Sequence, residues 1–284
     1  MTAVARVRRS PLIHAGLLAA TVLTTTLAGC MWVGLKPTLH HFTRGLPFSL
    51  TLLGILLVHE SGHYFMCRRY AVDASLPYFV PAPPQIFWFG TFGAFIRIRS
   101  RFPDRRALFD IGAGGPWAGF VVALLALVVG LRLSSVVPAP PTPGGLEFGD
   151  SLLTKLLARV VLHVDADTIM LHPIGLAGWF GMFVTSLNLL PLGQLDGGHV
   201  LYAATGRRTR VVSAVVLATL VWLGIRVWPG WLVWAMIAVL MLRLGHPPTL
   251  DDGTPLDPRR RLASVLSLAL LVLTFVPEPL KLVQ

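Results

Sequence analysis

Long apolar runs, separated by short basic or Pro/Gly-rich stretches, set the pattern of this chain. They fall at Pro11–Leu35, Leu46–Met66, Ala107–Leu131, His172–Tyr202, Val211–Val227, Trp231–Leu242 and Leu262–Val276. A helix needs about 20 apolar residues to cross a bilayer core of about 30 Å. The runs therefore predict an all-α polytopic membrane protein with about seven transmembrane helices. The last three runs are short. The sixth depends on Trp228-Pro229-Gly230-Trp231 forming a tight turn at an aromatic belt. Between the second and third runs, Pro77, Pro81, Pro83 and Pro84 exclude a regular helix. Gly93-Ala94-Phe95-Ile96-Arg97-Ile98-Arg99-Ser100 then alternates with period two. It reads as a short membrane-associated β strand or hairpin, or else as an ordinary loop. A strand edge is not tolerated against lipid, so a strand here must be shielded by protein or lie at the interface. Gly112, Gly114, Gly115, Ala118 and Gly119 open the third run, where small residues let helices pack closely. Pro138–Gly149 is an external loop, and a weak amphipathic helix follows at Ser151–Leu162.

His59-Glu60-Ser61-Gly62-His63 interrupts the second run with groups that are costly at membrane depth, roughly 2.5–3.5 kcal/mol or more for each charge. On a helix, positions i and i+4 share a face, so His59 and His63 can grip one ion, and imidazole suits Zn²⁺. Glu60 beside it can act as general base on a water. A catalytic zinc needs three protein ligands and an open position. Asp196 is the only carboxylate between Asp167 and Asp251. It lies in the fourth run, which heads in the same direction as the second, so the two can meet at their cytoplasmic ends. Pro191, Gly193, Gly197 and Gly198 break the helix there, where backbone must bend around a metal. Asn188 is placed to hydrogen-bond a substrate carbonyl or developing oxyanion, or else to pack polar helix faces. A metzincin pattern does not fit, because Met66 and Arg69 stand where its Gly and third His would be. A Glu third ligand does not fit either, since Glu147 and Glu278 fall in external segments. Asp251, Asp252 and Asp257, with His246, read as a solvated loop.

The chain is 54% hydrophobic and 13% charged, with a mean hydropathy of +0.70. That excludes one or two soluble domains. A net charge of +11 raises the question of nucleic acid. With the N-terminus cytoplasmic, however, seventeen of the 24 Lys and Arg fall on the cytoplasmic side, including Arg6, Arg8, Arg9, Arg207, Arg208, Arg210, Arg259, Arg260 and Arg261. The charge is therefore a topology signal, and no nucleic-acid partner is expected. Cys30 and Cys67 fall on opposite sides, so no disulfide is expected between them. Leu27-Ala28-Gly29-Cys30 looks like a lipoprotein cleavage site, although the apolar run continues through Leu35.

The residues His59-Glu60-Ser61-Gly62-His63 and Asn188 through Asp196-Gly197-Gly198 resemble the site-2 protease family of intramembrane zinc metalloproteases. His172 through Trp179 and the Phe92-Gly93-Ala94-Phe95 strand are similar to the branch that includes plastid members. The resemblance covers most of Leu46 to Gly206. It implies one Zn²⁺ per chain on His59, His63 and Asp196, Glu60 as base, and transmembrane segments of membrane proteins as substrates. Many relatives carry a PDZ domain between the motifs or a CBS pair at the C-terminus, and this sequence shows neither. The expected organisation is an N-terminal tail and first helix (1–45), a catalytic core of three helices (46–206) and C-terminal helices (207–284). Gly93, Ala94, Phe95 and Ile96 would hold an unwound substrate by strand addition. No Ser-rich, acidic-poor transit segment precedes the first run, which favours a prokaryotic cell (inner) membrane, with the zinc site toward the cytoplasm. Two rivals are a non-proteolytic metalloprotein such as a cation transporter, and a catalytically dead relative that only binds membrane helices. The base beside the metal argues against the first, and the complete residue set against the second.

Overall fold

A computed structural model describes residues 11–137, 146–206, 209–244 and 249–282. Arg6, Arg8, Arg9, Arg207, Arg208, His246 and most of the Pro138–Gly149 loop lie outside the described residues. The helices are α1 (Pro11–Trp32), α2 (Phe42–Arg69), α3 (Arg105–Arg132), α4 (Leu152–Leu162), α5 (Pro173–Asn188), α6 (Asp196–Thr205), α7 (Thr209–Arg226), α8 (Gly230–Leu244) and α9 (Pro258–Thr274). Their starts follow from side-chain caps. Asp104 accepts the Ala107 N–H ahead of α3, His172 accepts the Ile174 N–H ahead of α5, and Asp257 accepts those of Arg259 and Arg260 ahead of α9. Each cap satisfies a backbone donor that the helix leaves open.

Among the described residues, α1, α2, α3 and α7 are long and apolar enough to cross a membrane. The expected fourth span divides into α5, of 16 residues, and α6, of 10. At 1.5 Å per residue, α5 is about 24 Å long, short of the bilayer core. The interruption falls where Pro191 and Gly193 stand, and Gly193 takes a positive φ of 50°. The backbone it frees is not left unpaired, since Ser213 of α7 donates to the Pro191 carbonyl at 2.7 Å. The short helices α8 and α9, of 15 and 17 residues, fall at the expected sixth and seventh runs. The turn between α7 and α8 closes with the Trp231 N–H on the Trp228 carbonyl.

The strand differs from its expected bounds. β1 (Tyr78–Pro81) and β2 (Thr91–Phe95) form an antiparallel hairpin, with Tyr78 opposite Phe95 and Phe79 opposite Ala94. Regular pairing stops at Phe95, and Arg97 and Arg99 continue it irregularly against Ser75 and Asp73. Two further small sheets pair β3 (Ser135–Val136) with β5 (Ile169–Met170), and β4 (Leu146–Phe148) with β6 (Leu280–Leu282). The hairpin lies along α1. His14 Nδ1 stands 3.1 Å from the Pro77 carbonyl, Thr24 donates to that of Gly90, and Trp32 to that of Trp88. Beyond it, Phe89 stacks on Phe180 of α5 at 3.6 Å. Cys30 and Cys67 are both buried free thiols, and Cys30 Sγ points to the His41 carbonyl ahead of α2. The main core lies between α2, α3 and α5, around Phe48, Leu52, Leu127 and Trp179.

If α3 crosses the membrane, exposed residues before and after it face opposite sides. Ser100→Cys and Lys155→Cys should each label with an impermeant thiol reagent, from opposite faces of sealed vesicles. Labelling of both from one face would remove α3 from the list of spans.

Candidate metal centre

His59 and His63 lie one turn apart on α2 and are 4% and 7% exposed. Asp196 is the first residue of α6, so the chain break between α5 and α6 brings its carboxylate to them. His59 Nε2 is 3.1 Å from His63 Nε2, and Asp196 Oδ2 is 3.4 and 3.3 Å from the two nitrogens. Among the described residues these three form the one His/Cys/Asp/Glu group whose donor atoms converge within 4.8 Å. A tetrahedral ion with bonds of about 2.0–2.1 Å separates its ligands by about 3.3 Å, so the spacing suits zinc. The tautomer suits it as well. His63 Nδ1 lies 2.7 Å from the Ile111 carbonyl, which can only accept. The proton therefore sits on Nδ1, and the Nε2 lone pair faces the other two donors. The Asp251–Asp252–Asp257 loop is engaged elsewhere, with Thr254, Thr249, Tyr202 and Arg260 as partners.

The centre opens on a cavity of about 250 Å³ lined by Glu60, Asn188 and the hairpin residues Ala94, Phe95 and Ile96. Glu60 is buried, outside the converging trio, and lines the cavity together with Ile96. Asn188 ends α5 with its amide nitrogen 3.4 Å from His59 Nε2. Of the four hairpin residues named from sequence, Gly93 does not line the cavity. It lies within β2 with a φ of +99°, and the three residues after it line the cavity.

Three contributions escaped the sequence. The glycines opening α3 were assigned to helix packing, but they also seat the two histidines. A Cβ at Gly115 would overlap the His63 ring, and one at Gly119 would stand 3.0 Å from His59 Nδ1. The signal was present, because Gly115 and Gly119 repeat the i, i+4 spacing of His59 and His63. The Ile111 carbonyl is a backbone group with no residue signature. Gln194 and His199 also line the cavity, and neither had been given a role.

Residues 47–225 match the profile of Peptidase family M50. A protein of Oryza sativa subsp. japonica named probable zinc metalloprotease EGY1, chloroplastic, is 36% identical over 244 residues, covering 82% of this chain and 40% of its own length. Its Arabidopsis thaliana namesake is 36% identical over 241 residues, covering 82% and 43%. Probable zinc metalloprotease EGY2, chloroplastic, of Arabidopsis thaliana is 28% identical over 244 residues, covering 83% and 42%. The chain thus spans about two fifths of the length of these relatives.

Gly115→Leu should prevent His63 from turning its Nε2 toward Asp196. Zinc bound per purified chain should fall to a small fraction of wild type, whereas Gly54→Leu, in open space on α2, should leave it unchanged. Full zinc occupancy in folded Gly115→Leu would show that the close approach is not needed.

Proposed function

The chain belongs to peptidase family M50, the site-2 protease family, and on that premise we propose that it is a membrane zinc endopeptidase cutting in or near the transmembrane segments of membrane proteins. The observation that carries this reading is the cavity where the His59–His63–Asp196 trio, the buried Glu60 and the edge of β2 meet. His59, His63 and Asp196 would hold the zinc. Bound there, zinc supplies Lewis acidity, polarising a carbonyl and letting a water lose its proton near neutral pH.

The residues of the chain do the rest. Glu60 takes the proton of the attacking water and returns it to the leaving amine. It lines the same cavity as the trio and the end of the hairpin. Asn188 can donate to the oxygen of the scissile carbonyl as charge grows on it. A helical substrate hides its peptide groups in its own hydrogen bonds, so it must unwind before it can be cut. The exposed side of β2 offers such a segment the backbone partners it loses. We place the catalytic core at 46–206, flanked by the N-terminal segment 1–45 and the C-terminal helices 207–284. The distribution of Lys and Arg supports seven spans in a cell membrane, with the N-terminus cytoplasmic and the site toward that side.

Glu60→Gln should keep zinc and lose at least about 10²–10⁴-fold in cleavage rate. Asp196→Ala should lose both, and Asp252→Ala neither. Metal analysis and cleavage of a membrane substrate on the same purified samples decide. Wild-type turnover by Glu60→Gln would sink the mechanism. A metallated wild type that cleaves no membrane protein would favour the transporter reading.

Proline has no N–H and a fixed φ, so Ile96→Pro removes a backbone donor at the cavity and disturbs the end of β2. Its cleavage rate should fall far below that of Ile96→Val, with zinc content normal in both. A folded, metallated and fully active Ile96→Pro enzyme would show that the hairpin is a bystander.

A further inference from the structure

A second polar cluster stands where α2 ends and α3 and α9 begin. Asp110 of α3 receives two bonds from one guanidinium, from Arg260 Nε to Oδ1 at 2.8 Å and from Nη2 to Oδ2 at 2.6 Å. Tyr70, the residue capping α2, donates to the same Oδ2 at 2.5 Å, and Arg260 Nη2 reaches its hydroxyl at 3.1 Å. The third nitrogen of Arg260 pairs with Asp257, one turn before it at the start of α9. Arg260 and Asp110 are 26% and 17% exposed in their side chains, so this two-pronged pair is largely shielded from water. The bond from Arg260 holds the Asp257 carboxyl down at about 2, and burial, then the bond to Asp110, pushes the Tyr70 phenol up. Asp257 therefore stays ionised and Tyr70 protonated near neutral pH.

What Asp110 is joined to gives the cluster its consequence. The next residue is Ile111, whose carbonyl fixes the tautomer and direction of His63. Gly115, one turn further on, is the floor of the His63 ring. Tyr70 lies two turns beyond His63 on the other helix. The cluster thus pins together the segment that carries the ligand and the segment that orients it, with α9 as the brace. A second bond from α9, Ser267 accepting from Trp117 Nε1 at 3.0 Å, holds the same face of α3 two turns along. α9 lies beyond residues 47–225, so this support comes from outside the matched segment.

We infer that Arg260 is a positioning residue for the metal centre, acting through Asp110 on the Ile111 carbonyl that orients His63. The inference rests on the reading of the trio as a zinc site. The test is the zinc dissociation constant of the full chain in detergent, measured by competition with a chelating dye, together with kcat, KM and thermal unfolding of the zinc-free protein. Arg260→Met and Asp110→Asn should each weaken zinc binding roughly tenfold, at the lower end of the effect of losing an outer partner of a ligating His. Their kcat should fall and KM stay near wild type. The double variant should be little worse than either alone, because both remove one link. Arg260→Lys, which keeps the charge but loses the fork, should fall between, and it decides the matter if Arg260→Met does not fold. Arg259→Met, on an exposed neighbour, should match wild type. Lower unfolding temperatures with wild-type zinc affinity and kcat in Arg260→Lys and Asp110→Asn would overturn the inference and leave the cluster a helix tie. A wild type that binds no zinc would instead bring down the reading of the site itself.

Discussion

Everything at the site depends on how closely α2 and α3 can approach. At their contact a Cβ on Gly62 would overlap the Gly114 backbone, and glycines 115 and 119 leave the room that the two imidazoles fill. In a bilayer the apolar effect does not drive helices together, so packing and interhelical hydrogen bonds must. Here the approach brings a backbone carbonyl, that of Ile111, within 2.7 Å of a ring nitrogen. One short contact therefore packs the helices, satisfies a buried donor and leaves a nitrogen lone pair facing the cavity. A larger residue on α3 would force the helices apart and undo all three at once.

The second constraint is the carboxylate. A residue in mid-helix on a straight fourth span has its position set by the helix axis. Ending α5 at Asn188 and restarting at Asp196 frees the chain to turn its acid toward α2. The restart also places Asp196 in the first turn of α6, where the helix dipole favours negative charge. The break needs the positive φ of Gly193, and it needs Gly197 and Gly198, where a Cβ would overlap the carbonyls of Leu189 and Gly193. The Ser213 hydroxyl then satisfies the Pro191 carbonyl that the break exposes. Side chains, glycines and the neighbouring helix make the interruption tolerable at membrane depth.

How much of this the chain disclosed differs between its parts. That His59, Glu60, His63 and Asp196 would meet was legible because charged groups in apolar runs are rare and their spacing is geometric. The break after Asn188 was legible from its Pro and Gly residues. The length of the pieces was not, since an apolar run carries no mark of where its helix stops being regular, and α5, α8 and α9 emerged shorter than about 20 residues. The strand was displaced from Gly93–Ser100 to Thr91–Phe95 because pairing depends on a partner strand, and Tyr78–Pro81 contains a proline that pattern reading had counted only against helix. Ile111 was invisible, because its contribution is a carbonyl and its side chain is ordinary. Arg260 had been counted as a topology charge, which overlooked that one arginine of three in a row turns inward to Asp110.

The hairpin shows how these pieces combine. Two strands in a membrane leave two edges to be hidden, and one exposed edge invites pairing with whatever extended chain reaches it. α1 packs along β1, with His14 at the carbonyl of Pro77 and Thr24 and Trp32 at those of Gly90 and Trp88. β2 instead borders the cavity, and Ile96 just past its end lines that cavity with Glu60. An edge that would be a hazard on the lipid side thus lies beside the buried carboxylate. Helices outside the two motifs, α1 at one flank and α9 at the other, therefore bear on the same few ångströms of space between His63, Glu60 and the strand.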